Sequence, residues 1–170
     1  MKTPLILSLA FLSLASFAAA ETTITLSGVH NCCKGCANGI TKAAADIKDV
    51  TVTPEGDKVT ITAKSKSNAK KAAEAILAAG YYGASDAESD AKESASAKPG
   101  KKLTAATVTG AHLCCNKCVT AVADAVKTVP GITGSNIVAK EKTFTVQGEF
   151  TEAELIAALN KAGFTGTVGN

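Results

Sequence analysis

Two short stretches hold all six cysteines and both histidines of the chain. The first is Gly28-Val29-His30-Asn31-Cys32-Cys33-Lys34-Gly35-Cys36, and the second is Gly110-Ala111-His112-Leu113-Cys114-Cys115-Asn116-Lys117-Cys118. Cys33 and Cys36, like Cys115 and Cys118, are spaced to lie near the first turn of a helix. Unpaired backbone N–H groups and the macrodipole favour anions there. Thiols at such a position lose protons more easily, and Lys34 and Lys117 push the same way. Cys32 and Cys114 add a third sulfur, and His30 and His112 a nitrogen. Three thiolates with an imidazole suit a soft or borderline ion such as Cu(I), Zn(II), Cd(II) or Hg(II). Neither stretch contains a carboxylate, which disfavours hard oxygen-seeking cations.

Other chemistries use the same residues. Three sulfurs cannot pair off within one cluster, and a bridge between adjacent Cys32 and Cys33 is strained. One Cys-x-x-Cys bridge with a leftover thiol, or a bridge between the stretches, is the structural alternative. A low-pKa Cys-x-x-Cys is also a redox motif, although the surrounding sequence lacks the βαβ context and cis-proline signature of thioredoxin-like enzymes. A third alternative makes the loops scaffolding for a metal-independent protein-binding module. His30 and His112 are either ligands or loop histidines that pack locally. No triad, paired carboxylates or phosphate loop appears, so a non-enzymatic binding protein is expected.

The elements that position these loops are written twice. The cysteine stretches recur at an offset of 82, and Ala79-Gly80-Tyr81-Tyr82-Gly83 matches Ala162-Gly163-Phe164-Thr165-Gly166 at an offset of 83. Two anchors at nearly one offset indicate a tandem duplication. Thr23 to Ser27 alternates as a strand before the first loop, as do the neighbours of Val108 before the second. Ile40, Ala43, Ala44 and Ile47 recur at helical spacing, as do Val122, Ala125, Val126 and Val129, and Pro130-Gly131 stops the latter helix. A hairpin joins Val50–Thr53 to Val59–Ile61, and Ile137-Val138 with Phe144–Val146 are expected to repeat it. A second helix carries Ala72, Ile76 and Ala79, or Leu155, Ile156, Leu159 and Ala162 behind a capping box from Thr151 to Glu154. A short strand follows Gly80 and Gly163. The order is β-α-β-β-α-β twice: an α+β chain of two ferredoxin-like sandwiches joined by a flexible linker.

Met1-Lys2, an apolar run from Pro4 to Phe17 and Ala18-Ala19-Ala20 read as a Sec-type signal peptide cleaved after Ala20. The apolar run falls short of the ~20 residues a spanning helix needs. The expected divisions are a leader at 1–20, a first unit at 21–83, a linker at 84–102 and a second unit at 103–170. The linker is Ala, Ser, Asp, Glu and Lys with Pro99-Gly100, and has nothing large to bury. The mature protein is expected in the periplasm or secreted, without membrane attachment, at a net charge of +2 from 17 Lys and 15 acids. That small charge, the absence of arginine and 4% aromatics argue against nucleic acid as a partner.

The chain resembles two copies of the heavy-metal-associated domain, found in copper chaperones, metal-transport ATPase tails and periplasmic mercury-binding proteins. That family carries Gly-Met-x-Cys-x-x-Cys between its first strand and helix. Gly28, Cys33 and Cys36 match it, as do Gly110, Cys115 and Cys118. Ala79-Gly80-Tyr81, Ala162-Gly163-Phe164 and Pro130-Gly131-Ile132 match further family segments, the aromatic being a shield for the metal loop. Val29 and Ala111 replace the family methionine, and the loop gains a histidine and a cysteine. The resemblance implies an exported protein that sequesters or shuttles a soft metal ion, with another exported metal-transport protein as a further expected partner. The expected ligands are His30, Cys32, Cys33, Cys36, His112, Cys114, Cys115 and Cys118. Asn31 and Leu113, where zinc exporters often place an acid, tilt the ion toward Cu(I). The added cysteine and histidine tilt it toward Zn(II), and both stand as expectations.

Overall fold

The computed structural model describes residues 21–87, 100 and 102–169. The leader and residues 88–99 and 101 of the expected linker lie outside the described residues. The first copy runs β1 (Thr22–Ser27), α1 (Lys34–Ala43), β2 (Val50–Glu55), β3 (Lys58–Ala63), α2 (Lys66–Ala78) and β4 (Ala84–Ser85). The second runs β5 (Lys102–Thr109), α3 (Asn116–Lys127), β6 (Ile132–Ser135), β7 (Thr143–Thr151), α4 (Glu152–Lys161) and β8 (Thr167–Gly169). Each forms a four-stranded antiparallel sheet, ordered β2-β3-β1-β4 and β6-β7-β5-β8.

Period-two alternation decides which strand face is buried. Ile24 and Leu26 of β1 point inward with Val59, Ile61 and Ala63 of β3, and Val108 of β5 does so with Phe144, Val146 and Phe150 of β7. Ile40 and Ile76 close the first core from α1 and α2, while Val122, Val126, Leu155 and Leu159 close the second. The α2 face is built on Ala69, Ala72 and Ala73 where α4 supplies Leu155, Ile156 and Leu159. At about 0.8 kcal/mol per buried methylene, the second copy has the larger hydrophobic reserve.

Helix starts differ in a way that matters for the site. Ser65 caps α2 by accepting from the Asn68 N–H, and Thr151 with Glu154 forms a reciprocal capping box on α4. Thr151 accepts from the Glu154 N–H at 3.3 Å, and the Glu154 carboxylate accepts from the Thr151 N–H at 3.0 Å. The N-cap residues of α1 and α3 are instead Cys33 and Cys115, in extended backbone and with no side-chain cap bond.

Three expectations shift. Ala84–Ser85, read as linker, form β4 against Leu26 and Ser27, and Asp86 accepts from the Thr25 N–H at 2.7 Å. Lys102 at the other end opens β5 opposite Thr151. Small polar residues suffice there because a strand edge needs only backbone pairing. The strand before β7 is Ile132–Ser135 and not Ile137-Val138, and Val138 is exposed. Asn136 fixes that exit by accepting from both the Thr145 N–H and its hydroxyl. Ala44 and Ile47 pack past the end of α1 instead of on it.

The copies meet through their Ala-Gly-aromatic segments. Tyr81 and Phe164 form an antiparallel bridge. The Thr165 N–H donates to the Gly80 carbonyl at 3.2 Å, the Tyr82 N–H to the Gly163 carbonyl at 3.0 Å, and the His30 N–H to the same carbonyl at 3.3 Å. Gly80 has φ +93 and Gly163 φ +82. A β-carbon on Gly80 would strike the Gly110 carbonyl, and one on Gly163 would strike the His30 nitrogen. Each copy's glycine therefore seats against the other copy's cysteine loop.

Gly28 (φ +80) has open space around its missing β-carbon, so Gly28→Ala carries only left-handed backbone strain, about 1–2 kcal/mol. Gly163→Ala carries that strain plus the collision with His30. Urea unfolding should show both variants destabilised, whereas the radius of gyration from small-angle scattering should grow only for Gly163→Ala.

Candidate metal centre

The reciprocal seating brings the two cysteine loops face to face. Within the first loop the Cys32 and Cys33 sulfurs each lie 3.7 Å from that of Cys36. In the second, Cys114 lies 3.7 Å and Cys115 3.9 Å from Cys118. Contacts across the copies are as close: Cys36–Cys114 at 3.5 Å, Cys36–Cys118 at 3.8 Å, Cys32–Cys115 and Cys33–Cys114 at 3.9 Å, and Cys32–Cys118 at 4.0 Å. All six thiols are free. Cys36 and Cys118 are fully buried at the centre, and the other four are half-buried around them.

A metal–sulfur bond of about 2.3 Å gives sulfur–sulfur edges of about 3.8 Å in a tetrahedron and about 4.0 Å in a trigonal plane. The observed spacings fall on these values, so a thiophilic ion fits without rebuilding the loops. The imidazoles complete the donor set. A ring nitrogen of His112 lies within 4.8 Å of Cys36, Cys114 and Cys118, and one of His30 within 4.8 Å of Cys32 and Cys118. The His30 Nε2 is buried without a hydrogen-bond partner, a costly state.

Proton affinities divide inner from outer sulfurs. The Cys33 and Cys115 thiols sit over the open N-termini of α1 and α3. The backbone N–H of Cys36, with that of Gly35, lowers Cys33, and the N–H groups of Cys118 and Lys117 hold Cys115 down to about 6. Burial pushes Cys32, Cys114 and Cys118 up, reinforced by the neighbouring sulfurs. Burial also lowers His30 and His112, favouring the neutral imidazole a metal needs; for His112, His30 and Lys142 add to the effect. The structure thus assigns the thiolate-favouring environment to the backbone donors of the first turn, where the sequence alone also pointed to Lys34 and Lys117.

The aromatics act across the interface. Tyr81 stacks on His112 with ring centroids 4.2 Å apart, and Phe164 on His30 at 4.4 Å. The Tyr81 hydroxyl donates to the Cys36 carbonyl at 3.2 Å and lies 2.8 Å from the His112 Nε2. A hydroxyl has one proton, so that arrangement requires His112 to be protonated at Nε2, leaving the Nδ1 lone pair free. Phe164 has no hydroxyl, which leaves the His30 Nε2 without this partner. Gly39 was not singled out in the sequence, yet a β-carbon there would fall on the Tyr81 hydroxyl. Its counterpart at the 82-residue offset is Ala121. A glycine inside a helix, at about 1 kcal/mol against alanine, was the available signal.

Two clefts adjoin the site, one beside each histidine. One of about 220 Å³ runs past His112 and Cys114, between Ala79 and Lys142. The other, about 370 Å³, runs past His30 and Cys32, between Asp57 and Ala162.

Residues 108–165, within the second copy, match the heavy-metal-associated domain. No curated protein matches the chain. Among solved structures, the N-terminal soluble domains of Bacillus subtilis CopA are similar, with a TM-score of 0.31 and 14% identity over 89% of this chain and 95% of that chain.

The pairing of Gly39 with Tyr81 and of Ala121 with Phe164 is open to a double-mutant cycle. Phe164→Tyr alone should destabilise the protein, because by analogy with the Gly39–Tyr81 contact its hydroxyl would point at the Ala121 position. Combined with Ala121→Gly it should recover, with a coupling energy of about 0.5–3 kcal/mol in urea unfolding. In the reduced, metal-free protein at neutral pH, iodoacetamide should alkylate Cys115 before Cys32, Cys114 or Cys118, as peptide mass mapping would show.

Proposed function

We propose that the protein is an exported binder of a thiophilic metal ion, Cu(I) or Zn(II), which it sequesters or passes on through one site shared by its two HxCCxxC loops. The observation that carries this reading is the set of five cross-copy sulfur separations of 3.5–4.0 Å around buried Cys36 and Cys118. The donor set of six sulfurs and two neutral imidazoles supports a soft or borderline ion. The match of residues 108–165 to the heavy-metal-associated domain supports the same class of cargo. Export rests on the leader sequence.

The arrangement favours transfer as well as retention. Cys33 and Cys115 are outer thiols in an environment that favours the thiolate, so they are suited to first contact with an incoming ion. Each lies 3.9 Å from a sulfur of the other copy, which lets the ion be drawn inward by ligand exchange. A partner's cysteine entering along either cleft reverses the sequence. The work of such a site is binding and hand-over.

Shared and separate sites give opposite results when one loop is disabled. Cys33→Ser with Cys36→Ser should weaken all binding of Cu(I) or Zn(II) by more than about 100-fold in a chelator competition, since loss of an outer-shell partner alone costs about 10–100-fold. Half the ions retained at unchanged affinity would mean two independent loops. No uptake by the reduced wild type would end the metal reading. Loading must also displace protons that burial holds on Cys32, Cys114 and Cys118. Apparent affinity should therefore rise with pH across about 6 to 8, with proton release on binding.

A further inference from the structure

We infer that the shared site is a two-ion centre in which Cys36 and Cys118 bridge both metals. This rests on the metal-binding reading above and specifies how the ions are held. Cys36, Cys114 and Cys118 form a triangle with edges of 3.5, 3.7 and 3.8 Å. Cys32, Cys36 and Cys118 form a second, with edges of 3.7, 3.8 and 4.0 Å. The two triangles share the Cys36–Cys118 edge, and exchanging the copies turns one into the other. Each is the face on which an ion with bonds of about 2.3 Å sits.

The histidines select these mixed triangles over the set each loop could form alone. His112 approaches Cys36 of the other copy together with its own Cys114 and Cys118, and His30 approaches Cys118 of the other copy together with Cys32. One ion therefore takes Cys114 and His112 as its own ligands, the other takes Cys32 and His30, and both share Cys36 and Cys118. Four thiolates balance two divalent ions, so the core carries no net charge. That matters because the bridging sulfurs are fully buried, where an unbalanced charge is expensive. Four thiol protons leave to solvent as two ions enter. Cys33 and Cys115 remain outside the centre, each beside the terminal cysteine of one ion.

The test uses Cd(II), a thiophilic divalent probe whose 113Cd nucleus reports bridging directly. The reduced mature chain is loaded anaerobically with 113Cd(II), its stoichiometry counted by native mass spectrometry and its 113Cd spectrum recorded. Two ions per chain, giving two resonances split by mutual coupling through the shared sulfurs, are expected. Two uncoupled resonances would overturn the inference in favour of one ion per loop, and saturation at one ion would overturn it in favour of a single shared ion. Either result leaves the metal-binding reading standing, whereas no uptake of Cd(II) at all overturns both. Cys118→Ser should abolish the coupling and reduce the count to one ion or none. The same measurement on Cys36→Ser gives the symmetric check, and the amide spectrum of each variant shows that it folds.

Discussion

The close approach of Gly80 to the Gly110 carbonyl, and of Gly163 to the His30 nitrogen, is the constraint on which the rest of the structure depends. Only a residue without a β-carbon permits either contact, and both glycines adopt positive φ. Seated in this way, each copy lays its aromatic ring on the other copy's histidine and presents its inner cysteine to the other copy's triplet. Had the glycines carried side chains, the loops would stand apart and each triplet would face solvent. The sulfur cluster is thus a property of the interface and not of either domain.

The two halves are nearly symmetric in topology, and their departures from symmetry make physical sense together. Tyr81 carries a hydroxyl, Gly39 leaves room for it, and His112 and the Cys36 carbonyl are its partners. Phe164 lacks the hydroxyl, Ala121 stands at the helix position matching Gly39, and the His30 Nε2 is left unpartnered. Both histidines are stacked on an aromatic ring, but only His112 is also held by a hydrogen bond. Ion entry on the His30 side, next to the larger cleft, therefore meets the less constrained ligand.

Much of this was legible in the sequence because its causes are local. Alternation in β1 and helical spacing around Ile40 and Val122 follow from burial on one face, and the Thr151 capping box follows from unpaired donors at a helix start. The two cysteine and histidine clusters and their spacing were equally plain. The strand at Ile132–Ser135 was missed because Ile137 and Val138 look more strand-like, while the actual boundary is set by the Asn136 side chain bonding to Thr145. Strand β4 was expected after Gly80, but its residues were assigned to the linker because Ala84 and Ser85 have no apolar signature and are held by backbone pairing. Most important, the sequence leaves open whether the two loops hold separate ions or share one. Gly80 and Gly163 looked like helix stops, and nothing in a linear pattern shows that their missing β-carbons make room for another domain.

The cluster also changes how the third cysteine is understood. A Cys-x-x-Cys loop suffices for two-coordinate binding, but a shared centre needs sulfurs that reach across. Cys32 and Cys114 do this, contacting Cys118 and Cys36 of the opposite copy at 4.0 and 3.5 Å. The central claim is that both copies ligate the same metal, and anomalous diffraction from crystals of the metal-loaded mature chain tests it most directly. The account predicts anomalous peaks flanking the Cys36–Cys118 pair, each bonded to sulfurs from both copies. A peak inside one loop, ligated only by Cys32, Cys33 and Cys36 or only by Cys114, Cys115 and Cys118, would contradict it.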